Sequence, residues 1–169
     1  CIYIDNELVA RNLQGPVVIS SKDSTPIKIK DLKRKGRQAG YRGIIELVRS
    51  SKDISKFSIV NVLSLKNYLK GVVPNEMPVS FGLEALKAQA VAARNYAINS
   101  NMNANYDLVD STASQVYYGS NSYRDISDKA VNSTKGVYAL YHEKPITALY
   151  FSTSPGITDN WDDVFKLYN

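Results

Sequence analysis

Hydrophobic and polar residues follow two different patterns along the chain, and the change between them predicts a mixed architecture. Short apolar runs at residues 1–4, 16–19 and 27–29 are broken by polar and turn residues, which is typical of short strands. Two longer runs, 43–49 and 57–63, are joined by the polar segment SSKDISK and predict a β-hairpin. The chain up to residue 63 is therefore predicted to be β-rich.

The pattern then turns helical. Ser64 is suited to cap the N-terminus of a short helix over 65–70, and Gly71 lies where a left-handed C-terminal cap is expected. Pro74 and Pro78 fix their own φ and restrict the residue before them, so the residues between them are predicted to form a stiff, non-helical turn.

A long helix is predicted from residue 81 or 82 to 99. Six alanines between Ala85 and Ala97 give it a thin cross-section that neighbouring backbone can approach closely. At 100° per residue, an apolar face separates from a polar face. The apolar face carries Leu83, Leu86, Ala90, Ala93 and Ala97, and the polar face carries Glu84, Lys87, Val91, Arg94 and Asn95.

The last third of the chain predicts a further helix over 126–135, with Asp125 as N-cap and Gly136 as its stop, followed by a hairpin of 137–141 and 145–151. The fold class is therefore α+β, with a central Ala-rich helix packed against antiparallel β structure. We expect a β-rich N-terminal extension at 1–40 and a main domain at 41–169.

The net charge of +5 is uneven. One segment has only Asp31 to offset seven cations: Lys28, Lys30, Lys33, Arg34, Lys35, Arg37 and Arg42. It is compatible with a surface that attracts a polyanion and with a solvated strand face. No nucleic-acid-binding motif accompanies it, so no nucleic-acid partner is predicted.

The chain has one cysteine and one histidine, which narrows its chemistry. Cys1 has no partner for an internal disulfide, and a free thiol or a lipid-bearing terminus both stay open for it. His142 lies in YHEKPI, where it is predicted to be an exposed hairpin-turn residue rather than a catalytic base. Any catalysis must then depend on carboxylate, hydroxyl, Lys and Arg groups.

Glu76 is the acidic residue held between the two prolines, just before the long helix. Lys87 and Arg94 are seven residues apart and project from the same face of that helix. Glu76 and Lys87 are therefore candidates for one pocket, with Arg94 deeper along it. An ion pair of Glu84 with Lys87 at three residues' spacing is the structural alternative.

The runs YLKGVVPNEMP and EALKAQAVAARNYA, with YRGIIEL, DSTASQVYYG and ALYFSTSPGIT in the same order, resemble the SpoIID family of stage II sporulation protein D and its amidase-enhancer relatives. The resemblance covers roughly residues 41–165, so the main domain is identified as SpoIID-like. It implies a lytic transglycosylase that cuts peptidoglycan glycan strands, with Glu76 as its catalytic acid. It also implies substrate-binding roles for Lys87, Arg94, Gln115, Tyr117, Ser152, Ser154, Gly156 and Thr158.

The implied reaction needs a single carboxyl group. It protonates the glycosidic oxygen between MurNAc and GlcNAc and then takes a proton from the sugar's own C6 hydroxyl, which closes a 1,6-anhydro ring. The carboxyl must begin protonated, which favours a partly desolvated setting. Strands without stem peptides are the implied substrate.

The sequence departs from the family pattern at two places. Pro155-Gly156 stands where a glycine pair is usual, which stiffens a turn expected at the edge of the cleft. Some members carry a Cys and His zinc site near the catalytic Glu, and DSTASQVYYGS has no such cysteine. We therefore predict no metal and no cofactor.

Three hypotheses for this region stay open. The chain cleaves glycan strands, or it is a non-catalytic wall-binding module that enhances an amidase, or Glu76 is only a cap for the N-terminus of the long helix. The resemblance implies peptidoglycan as partner, with a cell-wall amidase and a membrane-anchored sporulation complex as further partners. We expect an extracytoplasmic location at the cell-wall or septal face of the membrane, with an N-terminal anchor that this chain lacks.

Overall fold

The computed structural model describes residues 2–4, 7–11, 15–50, 53, 55–100, 104–160 and 163. Cys1, part of the predicted hairpin connection and most of residues 161–169 lie outside the described residues. The strands are β1 (Ile2–Ile4), β2 (Glu7–Ala10), β3 (Val17–Ser20), β4 (Ile27–Arg34), β5 (Arg37–Tyr41), β6 (Ile44–Arg49), β7 (Phe57–Val62), β8 (Leu140–Tyr141) and β9 (Lys144–Pro145). The helices are α1 (Leu65–Glu76), α2 (Leu83–Asn99) and α3 (Asp125–Ser133), with 3₁₀ turns at Val79–Phe81 and Ser120–Ser122.

The described strands form antiparallel pairs. β6 lies between β3 and β7 in a three-stranded sheet, and β1–β2, β4–β5 and β8–β9 are two-stranded. The predicted hairpin of 43–49 and 57–63 is confirmed as β6–β7, with Ile45 opposite Asn61. The mixed α+β class is therefore confirmed.

The proposed boundary at residue 40 falls inside β5. In addition, β3 hydrogen-bonds to β6, which joins residues on the two sides of that boundary in one sheet. The division into an extension and a main domain stays a prediction.

Helix α1 is longer than predicted. Ser64 caps its N-terminus as expected, since its Oγ accepts the N–H of Asn67 at 3.4 Å. The expected stop at Gly71 and the expected non-helical turn after Pro74 are both wrong, because the helix continues through them to Glu76.

Packing explains why the helix continues through Gly71 and Pro74. A Cβ on Gly71 would lie 2.4 Å from Cε2 of Tyr117, so this glycine serves close contact rather than a left-handed turn. Proline inside a helix costs about 3 kcal/mol. Val72 and Val73, which lie between Gly71 and Pro74, are in the core with no exposed surface. Burial of each such side chain contributes roughly 2 kcal/mol to the stability of the folded helix.

Helix α2 packs mainly against α1 and α3, which also pack against each other, rather than against the antiparallel strands that the sequence suggested as its partners. Its predicted apolar face is confirmed, since Leu86, Ala90, Ala93 and Ala97 are all buried. Part of the predicted polar face of α2 is buried as well. Asn95 is fully buried there, and its Nδ2 donates to the carbonyl oxygens of Ala139 at 2.7 Å and Ile146 at 3.0 Å.

Helix α3 begins at Asp125, so Asp125 is its first residue rather than its N-cap. Gly136 follows the helix with a φ of 77°, as expected for a left-handed stop. The hairpin after it is confirmed but shorter than predicted. His142 and Glu143 form its two-residue turn with positive φ, and both are exposed.

In the described part of the chain, no helix combines the length and apolarity needed to cross a bilayer.

Candidate functional site

Glu76 is the last residue of α1 and is half-buried. Its Oε1 accepts a 2.6 Å hydrogen bond from the backbone N–H of Val116. Carbonyl groups at the end of a helix disfavour a negative charge, so helix stability does not explain an acidic residue at this place. The second carboxyl oxygen has no hydrogen bond within the described residues.

The helix-cap hypothesis for Glu76 is wrong. The N-cap of α2 is Gly82, and no side chain caps that helix end. Glu76 instead accepts a hydrogen bond from Val116, a residue that comes after α2 in the sequence.

Gln115 is the fully buried centre of a hydrogen-bond network beside Glu76. Its Oε1 accepts from the hydroxyl of Tyr68 at 3.1 Å. Its Nε2 donates to the hydroxyl oxygen of Tyr150 at 2.9 Å and to the carbonyl of Ala93 at 3.2 Å. Every polar atom of the Gln115 side chain thus has a protein partner, and the network fixes two tyrosine hydroxyls.

Glu76 lies near enough to both hydroxyls to affect their titration. Burial raises the pKa of Tyr68, and Tyr150 and Glu76 raise it further. Burial also raises the pKa of Tyr150, against the hydrogen bond with Gln115, and Glu76 adds to the increase. Both hydroxyls therefore stay protonated at neutral pH and remain hydrogen-bond donors.

Tyr117 is buried and packs against α1. Its ring lies over Gly71 and 5.3 Å from the ring of Tyr68, centroid to centroid. Its hydroxyl donates to Oδ1 of Asn61 at 3.0 Å. Asn61, unusual in sequence as a strand residue, also donates to the carbonyl of Arg42 at 2.8 Å. Gln115 and Tyr117 are thus brought to the same region as Glu76.

Lys87 and Arg94 have protein partners elsewhere. Lys87 Nζ pairs with Glu84 at 2.7 Å, which is the structural alternative considered for it. Arg94 is only 4% exposed and donates to the carbonyl of Val137 at 3.0 Å and to Oγ1 of Thr134 at 3.2 Å. Burial lowers the pKa of Arg94. The structure joins neither cation to Glu76, and their substrate-binding roles stay predictions.

Residues 151–158 are exposed. In the described part of the chain, no hydrogen bond links them to Glu76 or Gln115, and the bond among them runs from Gly156 N to Ser154 Oγ at 3.3 Å. Gly156 has a φ of 100° directly after Pro155. The predicted cleft residues Ser152, Ser154, Gly156 and Thr158 therefore stay predictions.

Sequence reasoning missed Tyr68, Tyr150 and the N–H of Val116. Tyr68, Val72 and Glu76 recur at four-residue spacing on one side of α1, which is a signal for Tyr68. This spacing is informative only if the helix reaches Glu76, and Gly71 and Pro74 both indicated an earlier end. The contacts of Tyr150 and Val116 depend on long-range packing, for which the sequence pattern has no signal.

The tip of β4–β5 lies at the edge of this site and carries part of the basic segment. Lys35 Nζ donates to Oδ1 of Asn75 at 3.3 Å and lies 5.0 Å from the ring centroid of Tyr118. Arg34 Nε donates to Oδ2 of Asp110 at 2.8 Å. Arg42 in turn lies 6.0 Å from the ring centroid of Tyr123, so three of the seven cations contact other side chains of the protein.

A cleft of about 750 Å³ lies between β4, β6, β7 and residues 104–110. Tyr68 and Tyr117 line it, but Glu76 does not. Among the described residues, Tyr68 belongs both to the cleft lining and to the Gln115 network, and it connects the cleft to the Glu76 region.

Among the described residues, no group of three or more His, Cys, Asp or Glu side chains is arranged to hold a metal ion. The expectation of no metal stays a prediction.

Comparison with known proteins gives a consistent set of similarities. The family model "SpoIID: Stage II sporulation protein" matches residues 53–141. A Bacillus subtilis protein named Amidase enhancer is 47% identical over 98 residues, which are 58% of this chain and 13% of that protein. Stage II sporulation protein D of Bacillus amyloliquefaciens is 41% identical over 125 residues, covering 63% of this chain and 36% of that protein.

Stage II sporulation protein D of Bacillus subtilis is 41% identical over 120 residues, covering 60% of this chain and 35% of that protein. The chain spans little more than a third of the length of the two sporulation proteins, and less of the amidase enhancer. No solved structure matches the chain.

Proposed function

The chain belongs to the SpoIID family of stage II sporulation proteins, and from this we propose that it is a peptidoglycan lytic transglycosylase with Glu76 as its single acid and base. The observation that carries the proposal is the position of Glu76. Its carboxyl group is held by the N–H of Val116 beside the hydrogen-bond network of the buried Gln115, at a helix end where stability alone disfavours an acidic residue.

In the proposed reaction, the two carboxyl oxygens of Glu76 have different roles. The N–H of Val116 fixes Oε1 and leaves Oε2 to transfer the proton. Protonated Oε2 donates to the oxygen between MurNAc and GlcNAc, the bond from C1 of MurNAc to that oxygen breaks, and an oxocarbenium-like centre forms. The carboxylate then accepts the proton of the C6 hydroxyl while O6 bonds to C1. Glu76 is protonated again, and no water is consumed.

The surrounding groups have supporting roles in this proposal. A charge-assisted bond from Val116 stabilises the carboxylate that exists between the two proton transfers. Tyr68 donates its hydroxyl proton to Gln115, whereas the Tyr150 hydroxyl accepts from Gln115 and keeps its own proton, so Tyr150 is the preorganised donor of this pair. We propose an extracytoplasmic location at the cell-wall or septal face of the membrane, with a membrane-anchored sporulation complex as a partner.

The test is mass spectrometry of peptidoglycan digests, with intact and stem-peptide-free strands as substrates. Glu76→Gln keeps an oxygen that accepts from Val116 but has no acidic proton to transfer. We expect release of 1,6-anhydro-MurNAc ends to fall by roughly 10²–10⁴-fold. The expected substrate preference is for the stem-peptide-free strands.

Glu84→Gln is the matched control, because Glu84 is an exposed carboxylate with 82% of its side chain accessible. It should release anhydro ends at the wild-type rate. Undiminished release by Glu76→Gln, with its fold intact, would show that Glu76 is not the acid.

One observation favours a second function, namely the 47% identity to a protein named Amidase enhancer. Under this alternative the chain binds wall polymer and stimulates a separate cell-wall amidase without cutting glycan. Purified protein would then accelerate amidase release of stem peptides while producing no anhydro ends, and Glu76→Gln would stimulate as well as the wild type.

A further inference from the structure

The β4–β5 hairpin carries positive charge that the protein itself does not neutralise. Four cations of the basic segment have exposed side chains and, in the part of the chain that the structure describes, no ion pair, side-chain hydrogen bond or ring contact: Lys28, Lys30, Lys33 and Arg37. Asp31 is the one acidic residue between Ile27 and Tyr41. These charges are therefore available to a partner outside the chain.

The strand register places three of these cations on the same side of the hairpin. Lys28 pairs with Gly40, and Lys33 pairs with Gln38. Paired residues of neighbouring strands point to the same side, and Gln38 and Gly40 share a side because they are two positions apart on β5. Lys30 lies two positions after Lys28 and joins them. We call Lys28, Lys30 and Lys33 the lysine face.

An irregularity in β4 is what brings Lys33 to this face. Residues 29–32 of β4 lie opposite a single residue of β5, Ala39, and Asp31 within them has a φ of 64°. An odd surplus of residues in one strand reverses the alternation of its side chains. Ile29 and Leu32 consequently both line the cleft, while the three lysines point to the opposite side. Regular pairing would turn Lys33 toward the cleft.

The lysine face is a row of like charges rather than a pocket. Alternate residues of a strand are about 6.6 Å apart, so Lys28 and Lys30 repel each other unless negative charges lie along the row. The ammonium group of lysine is a compact point charge that suits phosphate, whereas the planar fork of arginine is the better match for carboxylate. A linear polymer of phosphodiester groups has the complementary charge and shape.

Two other polyanions fit this face less well. Single-stranded nucleic acids are bound through aromatic rings on which the bases stack, and no residue from 28 to 38 is aromatic. Electrostatic attachment to a membrane uses clusters of about four to eight cations, or apolar side chains that enter the lipid. The face has three lysines, and its apolar neighbours Ile29 and Leu32 point into the cleft.

We propose that the lysine face binds an anionic polyol phosphate polymer, a chain of polyols joined by phosphodiester groups and without bases. This binding site is separate from Glu76 and does not depend on the proposed reaction. The tip of the same hairpin contacts Asn75 through Lys35, at 3.3 Å. A polymer bound along the hairpin would therefore also keep the Glu76 region close to it.

The test is calorimetric titration of the protein with poly(glycerol phosphate) at several salt concentrations. The variant changes Lys28, Lys30 and Lys33 to Gln together. We expect its affinity to fall roughly 100-fold, which corresponds to about fivefold for each lysine. The slope of log K against log salt should become shallower by about 2. The melting temperature should stay the same, because these side chains have no partners among the described residues.

The matched control changes Lys66, Lys129 and Lys135 to Gln. These lysines are also exposed, but they lie on α1, on α3 and just after α3, so the variant loses the same net charge at other places. Its affinity should stay within about twofold of the wild type, because salt screens distant charges. Oligothymidylate with the same number of phosphates and vesicles of phosphatidylglycerol should both bind more weakly than poly(glycerol phosphate).

Three results would overturn the inference: an unchanged affinity in the lysine-face variant, an equal loss in the control variant, or equal or tighter binding of oligothymidylate or the vesicles. Failure of the proposed function is distinguishable. The lysine-face variant should release anhydro ends from purified glycan strands at the wild-type rate. A protein that binds the phosphate polymer but releases no anhydro ends keeps this inference and loses only the catalytic proposal.

Discussion

Buried polar residues of this chain hold segments that are far apart in the sequence. Asn95 on α2 exchanges hydrogen bonds with both the N–H and the carbonyl of Ala139, the latter at 2.7 Å. Arg94, its neighbour, reaches Thr134 and Val137 beyond α3. These partners are backbone groups and the Thr134 hydroxyl, all on segments that follow α3 in the sequence. At the residue scale, these side chains act first as structural ties.

Arg94 and Lys87 should therefore behave differently on substitution. Arg94→Met removes the hydrogen bonds that the buried guanidinium makes to Val137 and Thr134, and we expect the free energy of unfolding to fall by about 3 kcal/mol in urea denaturation. Lys87→Met removes a surface ion pair and should cost about 0.5 kcal/mol. If Arg94→Met instead kept full stability and lost only glycan binding, the substrate-binding role would be the better account.

Helix α1 shows how packing sets the length of an element. Its second half contains both a glycine and a proline, yet it stays helical up to Glu76. Gly71 allows the ring of Tyr117 to approach the helix backbone. Lys70 pairs with Asp128 of α3 and ties the same turn to a second helix. The extra turn places Glu76 against Val116.

Gly71→Ala tests this contact. Alanine favours helix by about 1 kcal/mol over glycine, but its Cβ meets a buried ring, and overpacking costs about 1–3 kcal/mol. We expect a net loss of about 1 kcal/mol in the free energy of unfolding.

The control is the same substitution in a Tyr117→Leu background, where the ring is absent and Gly71→Ala should become stabilising. Stabilisation by Gly71→Ala alone would contradict the close approach.

At the scale of the whole molecule, tyrosines connect the sheet side to the helix side. Tyr41 comes from β5, Tyr68 from α1, and Tyr117 and Tyr150 from later segments. Burial is the first cause of a raised pKa in each of these four and in Tyr123, where it raises the pKa to about 12. The folded state thus favours five protonated phenols.

This predicts alkaline destabilisation. The folded pKa values lie above the ordinary value of 10.0, so their contribution is complete below that pH and is lost as the pH rises. Each tyrosine should reduce the free energy of unfolding by about 1.4 kcal/mol per pH unit within its window, which for Tyr123 runs from 10.0 to about 12.

The measurement is urea denaturation at about pH 9 and about pH 11, followed together with tyrosinate absorbance. Tyr123→Phe should reduce the pH dependence of the free energy of unfolding by the contribution of one phenol. A free energy of unfolding that is unchanged across this range would contradict the burial of these phenols.

Local patterns predicted the elements that local physics determines. The β6–β7 hairpin, the Ser64 cap, the apolar face of α2 and the tight turn at His142 each depend on neighbouring residues, and each is confirmed. The site was predicted only in part. Glu76 was singled out by its flanking prolines, but the conformation inferred from those prolines was wrong.

What the sequence by itself determined is the α+β class, the family and the central alanine-rich helix, because periodicity and motif order are properties of the linear chain. Tertiary structure alone decided that α1 extends to Glu76 and that Val116 and Gln115 meet it there. These outcomes depend on contacts between residues tens of positions apart, whose packing energy exceeds the local preferences of Gly71 and Pro74.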